Sequence, residues 1–115
     1  MQHYRWEETP AEVLNPLVSR QVFHGDTLTI ARLTIKVGAV VPRHHHPNEQ
    51  VTTVESGRLQ FDFDGESMEV RTGESVQIPS GVPHSVTALE DSVALDVFSP
   101  VREDWLRGDD AYLRR

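Results

Sequence analysis

Apolar and polar residues alternate along most of the chain from about residue 17 onward. Because successive side chains of a β-strand point to opposite faces, this period of two predicts strands with one buried face. No long segment has a helical period, so a parallel sheet with crossover helices is not expected. The alternating runs are Leu33–Val37, Leu59–Phe63, Met68–Val70, Val76–Ile78 and Val93–Phe98.

Turn-forming residues separate these runs. Glycine, proline and aspartate favour tight turns, and the strands that they separate are spaced at roughly 8–12 residues. The Asp64-Gly65 pair lies between two alternating runs and predicts the tip of a β-hairpin. Many short strands joined by closely spaced turns are typical of an all-β sandwich or barrel. The other turn signals are His24–Asp26, Ser56-Gly57, Thr72-Gly73 and Pro79–Gly81.

The length of 115 residues predicts one domain with a single core. The residues ahead of the first strand contain two prolines and little alternation, which predicts an irregular arm. Glu103–Arg107 follows Pro100 and predicts a short helical turn. The predicted division is an N-terminal arm at 1–16, a β-barrel at 17–107 and a C-terminal tail at 108–115.

Composition and charge narrow the classes of function. The formal net charge is -7 with a single lysine, so the basic stripe that a nucleic-acid binder needs is missing. No apolar run reaches membrane-spanning length and no basic-then-apolar leader opens the chain, so we expect a cytoplasmic protein that does not bind membranes. With no cysteine, any metal must be held by nitrogen and oxygen atoms.

The run RHHHPNEQ holds three of the six histidines. In an extended strand alternate side chains share a face, so parity puts His44, His46 and Gln50 together. His45 and Glu49 have the opposite parity, and Gln50 is therefore the preferred oxygen ligand. Two histidines at i and i+2 with a nearby oxygen donor can occupy adjacent positions around one metal ion.

A fourth ligand must come from elsewhere in the chain. His84 is the best candidate, because it follows the tight turn at Pro79–Gly81, which would fix the start of its strand. The alternative is that the histidine run forms a solvated loop with no metal.

Two spaced patterns strongly resemble the two motifs of the cupin superfamily, over residues 28–98. The resemblance implies an all-β, single-domain cupin, a double-stranded β-helix or jelly-roll-like small barrel, with one divalent transition metal ion. The ligand types do not distinguish Ni, Zn, Mn, Fe, Co and Cu. The patterns are Gly38-x5-His44-x-His46-x3-Gln50-x6-Gly57 and Gly73-x5-Pro79-x-Gly81-x2-His84.

The chain departs from the cupin pattern at two positions. Gln50 stands where the first motif usually has an acid, and Ala88 stands where the second usually closes on asparagine. A glutamine carbonyl is a legitimate oxygen ligand. Three imidazoles and one amide are all neutral, so they leave the metal's charge of +2 uncompensated. Such a centre favours Lewis-acid chemistry on an anionic or carbonyl-bearing substrate.

The last alternating run carries a second candidate group. Asp96 and Phe98 share a face, and inside a barrel mouth that face makes a partly desolvated carboxylate, which can act as a general acid or base. Arg102 lies just beyond and can clamp a substrate carboxylate with its planar fork. The alternative is a structural ion pair between Asp96 and Arg102, with Phe98 in the core.

The segments HHHPNEQ, VPHSV and LDVFSPVRED together are similar to the KdgF-type cupins of pectin and alginate breakdown. This resemblance implies an isomerase-type metalloenzyme that converts 4,5-unsaturated monouronates from the cyclic form to the linear 4-deoxy-5-keto form. The metal ligands that it implies are His44, His46, Gln50 and His84.

The same resemblance implies functional roles for Asp96, Phe98 and Arg102. The expected substrate is a small anionic sugar, and a homodimer is the expected assembly. Two other functions stay open on these residues. An iron-dependent dioxygenase on the same scaffold would consume oxygen in the presence of Fe(II). A non-catalytic sugar- or metal-binding module would show saturable binding without turnover.

Overall fold

The computed structural model describes residues 1–115, which form ten strands in two antiparallel sheets. None of its helices is long and apolar enough to cross a membrane. The strands are β1 Glu12–Asn15, β2 Val18–His24, β3 Thr29–Ile35, β4 Val40–His44, β5 Glu49–Ser56, β6 Arg58–Phe63, β7 Glu66–Arg71, β8 Ser75–Ile78, β9 His84–Ala88 and β10 Ser92–Ser99; the helix α1 is Glu103–Leu106, and 3-10 turns lie at Trp6–Glu8 and Ala111–Leu113.

The larger sheet has the strand order β1-β2-β3-β10-β5-β8, and the smaller has β4-β9-β6-β7. Neighbours far apart in sequence pair in both sheets, which is the jelly-roll arrangement that the cupin resemblance implies. The all-β prediction is confirmed. Strand β10 lies between β3 and β5, so Asp96 is opposite Ala31 on one side and Thr52 on the other.

Turn chemistry fixes the register at two places. The predicted hairpin joins β6 to β7, with Gly65 at a positive φ of 75° that a side chain would disfavour. Gly57 between β5 and β6 also has a positive φ, of 96°, and a Cβ there would clash with the backbone and side chain of Ser92. The glycine that closes the first motif is therefore required by the close approach of two chain segments.

The core lies between the sheets and is built from the inward residues of the alternating runs. Burying each large apolar side chain contributes about 1.5–3 kcal/mol, so this set holds the two sheets rigidly together. At one end of the barrel the apolar core gives way to histidine, glutamine and aspartate. The buried apolar members include Leu33, Ile35, Leu59, Phe61, Ile78, Phe98 and Trp105.

The two chain ends are more ordered than the sequence predicts. Residues 1–16 are not irregular throughout, because β1 pairs with β2 at the edge of the larger sheet. Four residues are too few to show alternation, which is why the pattern missed this strand. The predicted tail packs against the barrel: Leu113 is buried, and the buried Asp110 forms ion pairs with Arg20 and Arg114. The predicted helical turn is present as α1.

Candidate metal centre

Three histidines from different parts of the chain meet at one end of the barrel. His44 ends β4, His84 begins β9 directly opposite it, and His46 lies in the turn before β5. One ring nitrogen from each lies within 4.8 Å of the others. The structure thus brings together the three imidazoles that the motif spacing singled out.

Backbone hydrogen bonds fix the orientation of all three rings. The Nδ1 atoms of His44, His46 and His84 lie 2.8, 3.0 and 2.9 Å from the carbonyl oxygens of residues 42, 48 and 82. A carbonyl only accepts, so each Nδ1 carries the proton and donates it. Each Nε2 therefore keeps a free lone pair, which is the tautomer of a metal ligand held by a backbone partner. The Nε2 atom of His84 is buried without any partner.

Burial keeps these imidazoles neutral. Loss of solvent lowers the pKa of His44 to about 4 and that of His46 to about 4. The pKa of His84 is lowered by the same cause. Metal ligation requires neutral imidazole, so near pH 7 no proton has to leave before an ion binds.

Gln50 supplies the oxygen donor. It is buried on the inner face of β5, and its Oε1 lies 3.1 Å from Nε2 of His46. With Nδ1 of His46 protonated and the amide in this orientation, both atoms are acceptors, and a cation bound by both would offset their repulsion. Two ligands with metal bonds of about 2.0–2.2 Å at a right angle are about 3 Å apart. The set of three nitrogens and one oxygen therefore fits a divalent metal ion.

The two residues of opposite parity lie outside this centre. His45 is exposed. Glu49 is also exposed and accepts a hydrogen bond from Gln77 on the outer face of the sheet. Since both side chains point away from the barrel interior, neither can contribute to the metal site without a shift of strand register.

Asp96 stands in the wall of the same cavity. Its Oδ1 accepts a hydrogen bond of 2.5 Å from the hydroxyl of Thr52. Burial raises the pKa of Asp96 to about 6, although the Thr52 hydrogen bond and the positive charge of Arg102 partly oppose that rise. A carboxyl that titrates close to neutrality can both take up and release a proton, as a general acid/base must.

Arg102 lines the cavity but does not pair with Asp96, so the predicted alternative of an ion pair between them is wrong. Its guanidinium instead forms a bidentate pair with the carboxylate of Asp104. Nε of Arg102 donates to Oδ1 over 3.0 Å, and Nη2 donates to Oδ2 over 2.8 Å. The Arg102 side chain also lies over the ring of Phe98, with 4.6 Å between guanidinium carbon and ring centroid. Arg102 is buried, and its Nε and Nη2 are both engaged, so Nη1 is the guanidinium nitrogen that remains to bind a ligand in the cavity.

A family model described as a cupin domain matches residues 31–99, which is more than half of the chain. The chain belongs to the cupin family. It is 31% identical over 103 residues to the pectin degradation protein KdgF of Dickeya dadantii, covering 87% of this cupin and 94% of that protein.

Two solved structures extend the likeness to the whole fold. That of KdgF from Halomonas sp. matches with a TM-score of 0.84 and 27% identity, covering 90% of this cupin and 99% of that chain. An RmlC-like cupin from Shewanella frigidimarina matches with a TM-score of 0.83 and 27% identity, covering 91% and 96%. The predicted cupin fold and the resemblance to KdgF are confirmed.

Tyr112, which lies beside the candidate metal centre in this cupin, was not predicted from the sequence because no pattern marks it. Its ring centroid lies 4.6 Å from that of His44, and its hydroxyl accepts a hydrogen bond of 2.8 Å from Nη2 of Arg102. Tyr112 belongs to the 3-10 turn of the predicted tail, so the C-terminal end forms part of the cavity wall. Thr52 was also missed, although it has the parity of Gln50 on the same strand.

Proposed function

We propose that this cupin is a metal-dependent isomerase that converts 4,5-unsaturated monouronates to their linear 4-deoxy-5-keto form. The observation that carries the proposal is the shared cavity of Asp96, whose pKa is raised to about 6, and the neutral donor set at the metal centre. Similarity to a protein of pectin degradation supports a uronate as the substrate. The uncompensated metal charge suits an anionic sugar despite the overall net charge of -7.

The reaction is an isomerisation that needs two proton movements. The anomeric hydroxyl loses its proton, the bond from C1 to the ring oxygen breaks, and C1 becomes an aldehyde. The ring oxygen leaves as an enolate on C5, and protonation of C4 then gives the 5-keto group, so no atom is gained or lost. Asp96 takes the first proton as carboxylate and returns a proton to C4. A divalent metal held by the three histidines and Gln50 would act as a Lewis acid toward the substrate oxygens.

Two neighbours of Asp96 hold the substrate. The free Nη1 of Arg102 donates to the sugar carboxylate, while its other nitrogens stay fixed on Asp104 and Tyr112. That fixed guanidinium is preorganised, so little side-chain entropy is lost on binding. Phe98, which is buried beside it, gives an apolar surface on which the sugar ring packs.

The direct test follows the ultraviolet absorbance of the unsaturated monouronate. The C4=C5 double bond is conjugated to the carboxylate and is lost in the product, so metal-loaded protein is expected to accelerate the decay of absorbance. Protein stripped with a chelator should lose this activity, and adding metal back should restore it. An unchanged rate with fully loaded protein would overturn the proposal.

The rate should also depend on pH through Asp96. The group acts first as a base and must be ionised, and its pKa is raised to about 6. We therefore expect kcat/KM to rise with increasing pH through about 6 and to level off above it, since the carboxylate population saturates there. The check is a pH profile between about 5 and 8. A flat profile across this range would show that another group moves the proton.

A further inference from the structure

A buried line of three side chains connects the metal centre to Asp96. Nε2 of Gln50 donates to Oγ1 of Thr52 over 2.9 Å, and Oγ1 of Thr52 donates to Oδ1 of Asp96 over 2.5 Å. Thr52 is only 1% exposed, so water does not compete for its hydroxyl. Gln50 and Thr52 share the inner face of β5, and Asp96 is the cross-strand partner of Thr52 on β10.

The donors and acceptors in this line leave one consistent arrangement. A hydroxyl has a single hydrogen, and a carboxylate can only accept, so the hydrogen of Thr52 goes to Asp96. The Thr52 oxygen must then accept from Gln50, and only the NH2 end of the amide can donate to it. The carbonyl end of Gln50 is thereby turned toward His46 and the metal centre, where its Oε1 lies 3.1 Å from the histidine Nε2.

Without a metal, the reversed amide would still make two hydrogen bonds of its own. Its NH2 group would donate to the free Nε2 of His46, and its oxygen would accept from Thr52. That orientation places a nitrogen without a lone pair at the metal position and removes one of four ligands. The reversed amide would also destabilise Asp96, because its carboxylate would lose the Thr52 hydrogen bond while remaining partly buried.

From these contacts we infer that Thr52 is a positioning residue that holds Gln50 in its metal-binding orientation. The hydroxyl ties the proton-transfer group and the metal ligand into one unit, so Asp96 supports metal binding without touching the ion. This inference rests on the metal centre of the proposed function but not on the uronate reaction. Its test measures metal affinity, so it stands or fails separately from turnover.

The test is the affinity of Thr52→Val, which keeps the shape of the side chain and removes the hydroxyl. Zn²⁺ dissociation constants are measured by competition with a chromophoric chelator. Partners that orient metal ligands are typically worth about 10–100-fold in affinity, so we expect at least a tenfold loss for Thr52→Val. Thr52→Ser keeps the hydroxyl and should stay within about threefold of the parent. Equal Zn²⁺ affinity in Thr52→Val and the parent would overturn the inference.

The same Thr52 substitution in a Gln50→Glu variant distinguishes an effect on the orientation of residue 50 from an effect on core packing. In Gln50→Glu both ends of the side chain are oxygen, so no orientation has to be selected. Adding Thr52→Val there should weaken Zn²⁺ binding by less than about threefold, as a double-mutant cycle reveals. An undiminished loss would mean that Thr52 acts through packing alone. Thr52→Ala, which removes the hydroxyl by a different volume change, must reproduce the loss in the parent background even if the valine variant folds poorly.

Discussion

Replacing Asp96 by asparagine is expected to abolish turnover of the unsaturated uronate while the metal stays bound. Asparagine cannot take or return a proton, and general acid–base catalysis typically contributes about 10²–10⁴-fold in rate. Its Oδ1 can still accept the Thr52 hydroxyl, so the line that orients Gln50 persists. The measurement pairs the rate of absorbance loss with elemental analysis of the purified variant.

Thermal melting of metal-free Asp96→Asn tests whether unfolding, rather than the missing carboxyl, causes the loss of turnover. The pKa of Asp96 is raised from 3.8 to about 6, so the folded state favours its neutral form. The stability that this neutral carboxyl contributes is complete below about pH 4 and is lost as the pH rises through about 6. At pH 8 the asparagine variant should therefore melt no lower than the parent. Loss of metal from Asp96→Asn would instead give the carboxylate a structural role at the metal centre.

Much of the fold and part of the site follow from local pattern. Inner and outer faces alternate strictly along a strand, so the parity that put His46 and Gln50 on one face also put His45 on the other. The same rule placed Asp96 beside Phe98 facing the cavity. Turn residues located the hairpin at Gly65, since the required backbone conformation is local.

Other parts depend on contacts that no local pattern encodes. Tyr112 reaches the cavity only because Leu113 is buried and Asp110 is anchored by ion pairs across the barrel end. The alternative that paired Arg102 with Asp96 fails for a different reason. Asp104 lies two residues away and the start of α1 brings it into bidentate contact, whereas Asp96 is drawn to Thr52 by the pairing of β10 with β5.

The site also differs from the rest of the core in the polarity of its buried residues. Elsewhere the buried residues are mostly apolar or, like Arg20 and Asp110, paired with each other, but here a carboxyl with a raised pKa and three neutral imidazoles share the interior. Each of these groups is unfavourable to bury unless it has a partner. Natural sequences keep such exceptions where function needs them, which is why this end of the barrel is the candidate functional site.

Replacing His84 by alanine is expected to remove the metal and, with it, the activity. The Nε2 atom of His84 is buried, carries a free lone pair and has no protein partner, so a bound ion would satisfy it. Residues that merely orient ligands are worth about 10–100-fold in metal affinity, and losing a ligand should cost more than about a hundredfold. Zn²⁺ competition with a chelator measures the loss.

His45→Ala is the matched control, because it removes the same side chain from the same end of the barrel. His45 is exposed and has the opposite parity to His44 and His46, so its variant should bind Zn²⁺ within about twofold of the parent. The lowered pKa of His84 means that the parent ring is neutral at pH 7, so the alanine variant removes no charge from the fold. Parental Zn²⁺ affinity in His84→Ala, or a large loss in His45→Ala, would contradict the assignment of the donor set. If the expected difference is found, the ion is held by the inward histidines themselves rather than by the histidine-rich segment as a whole.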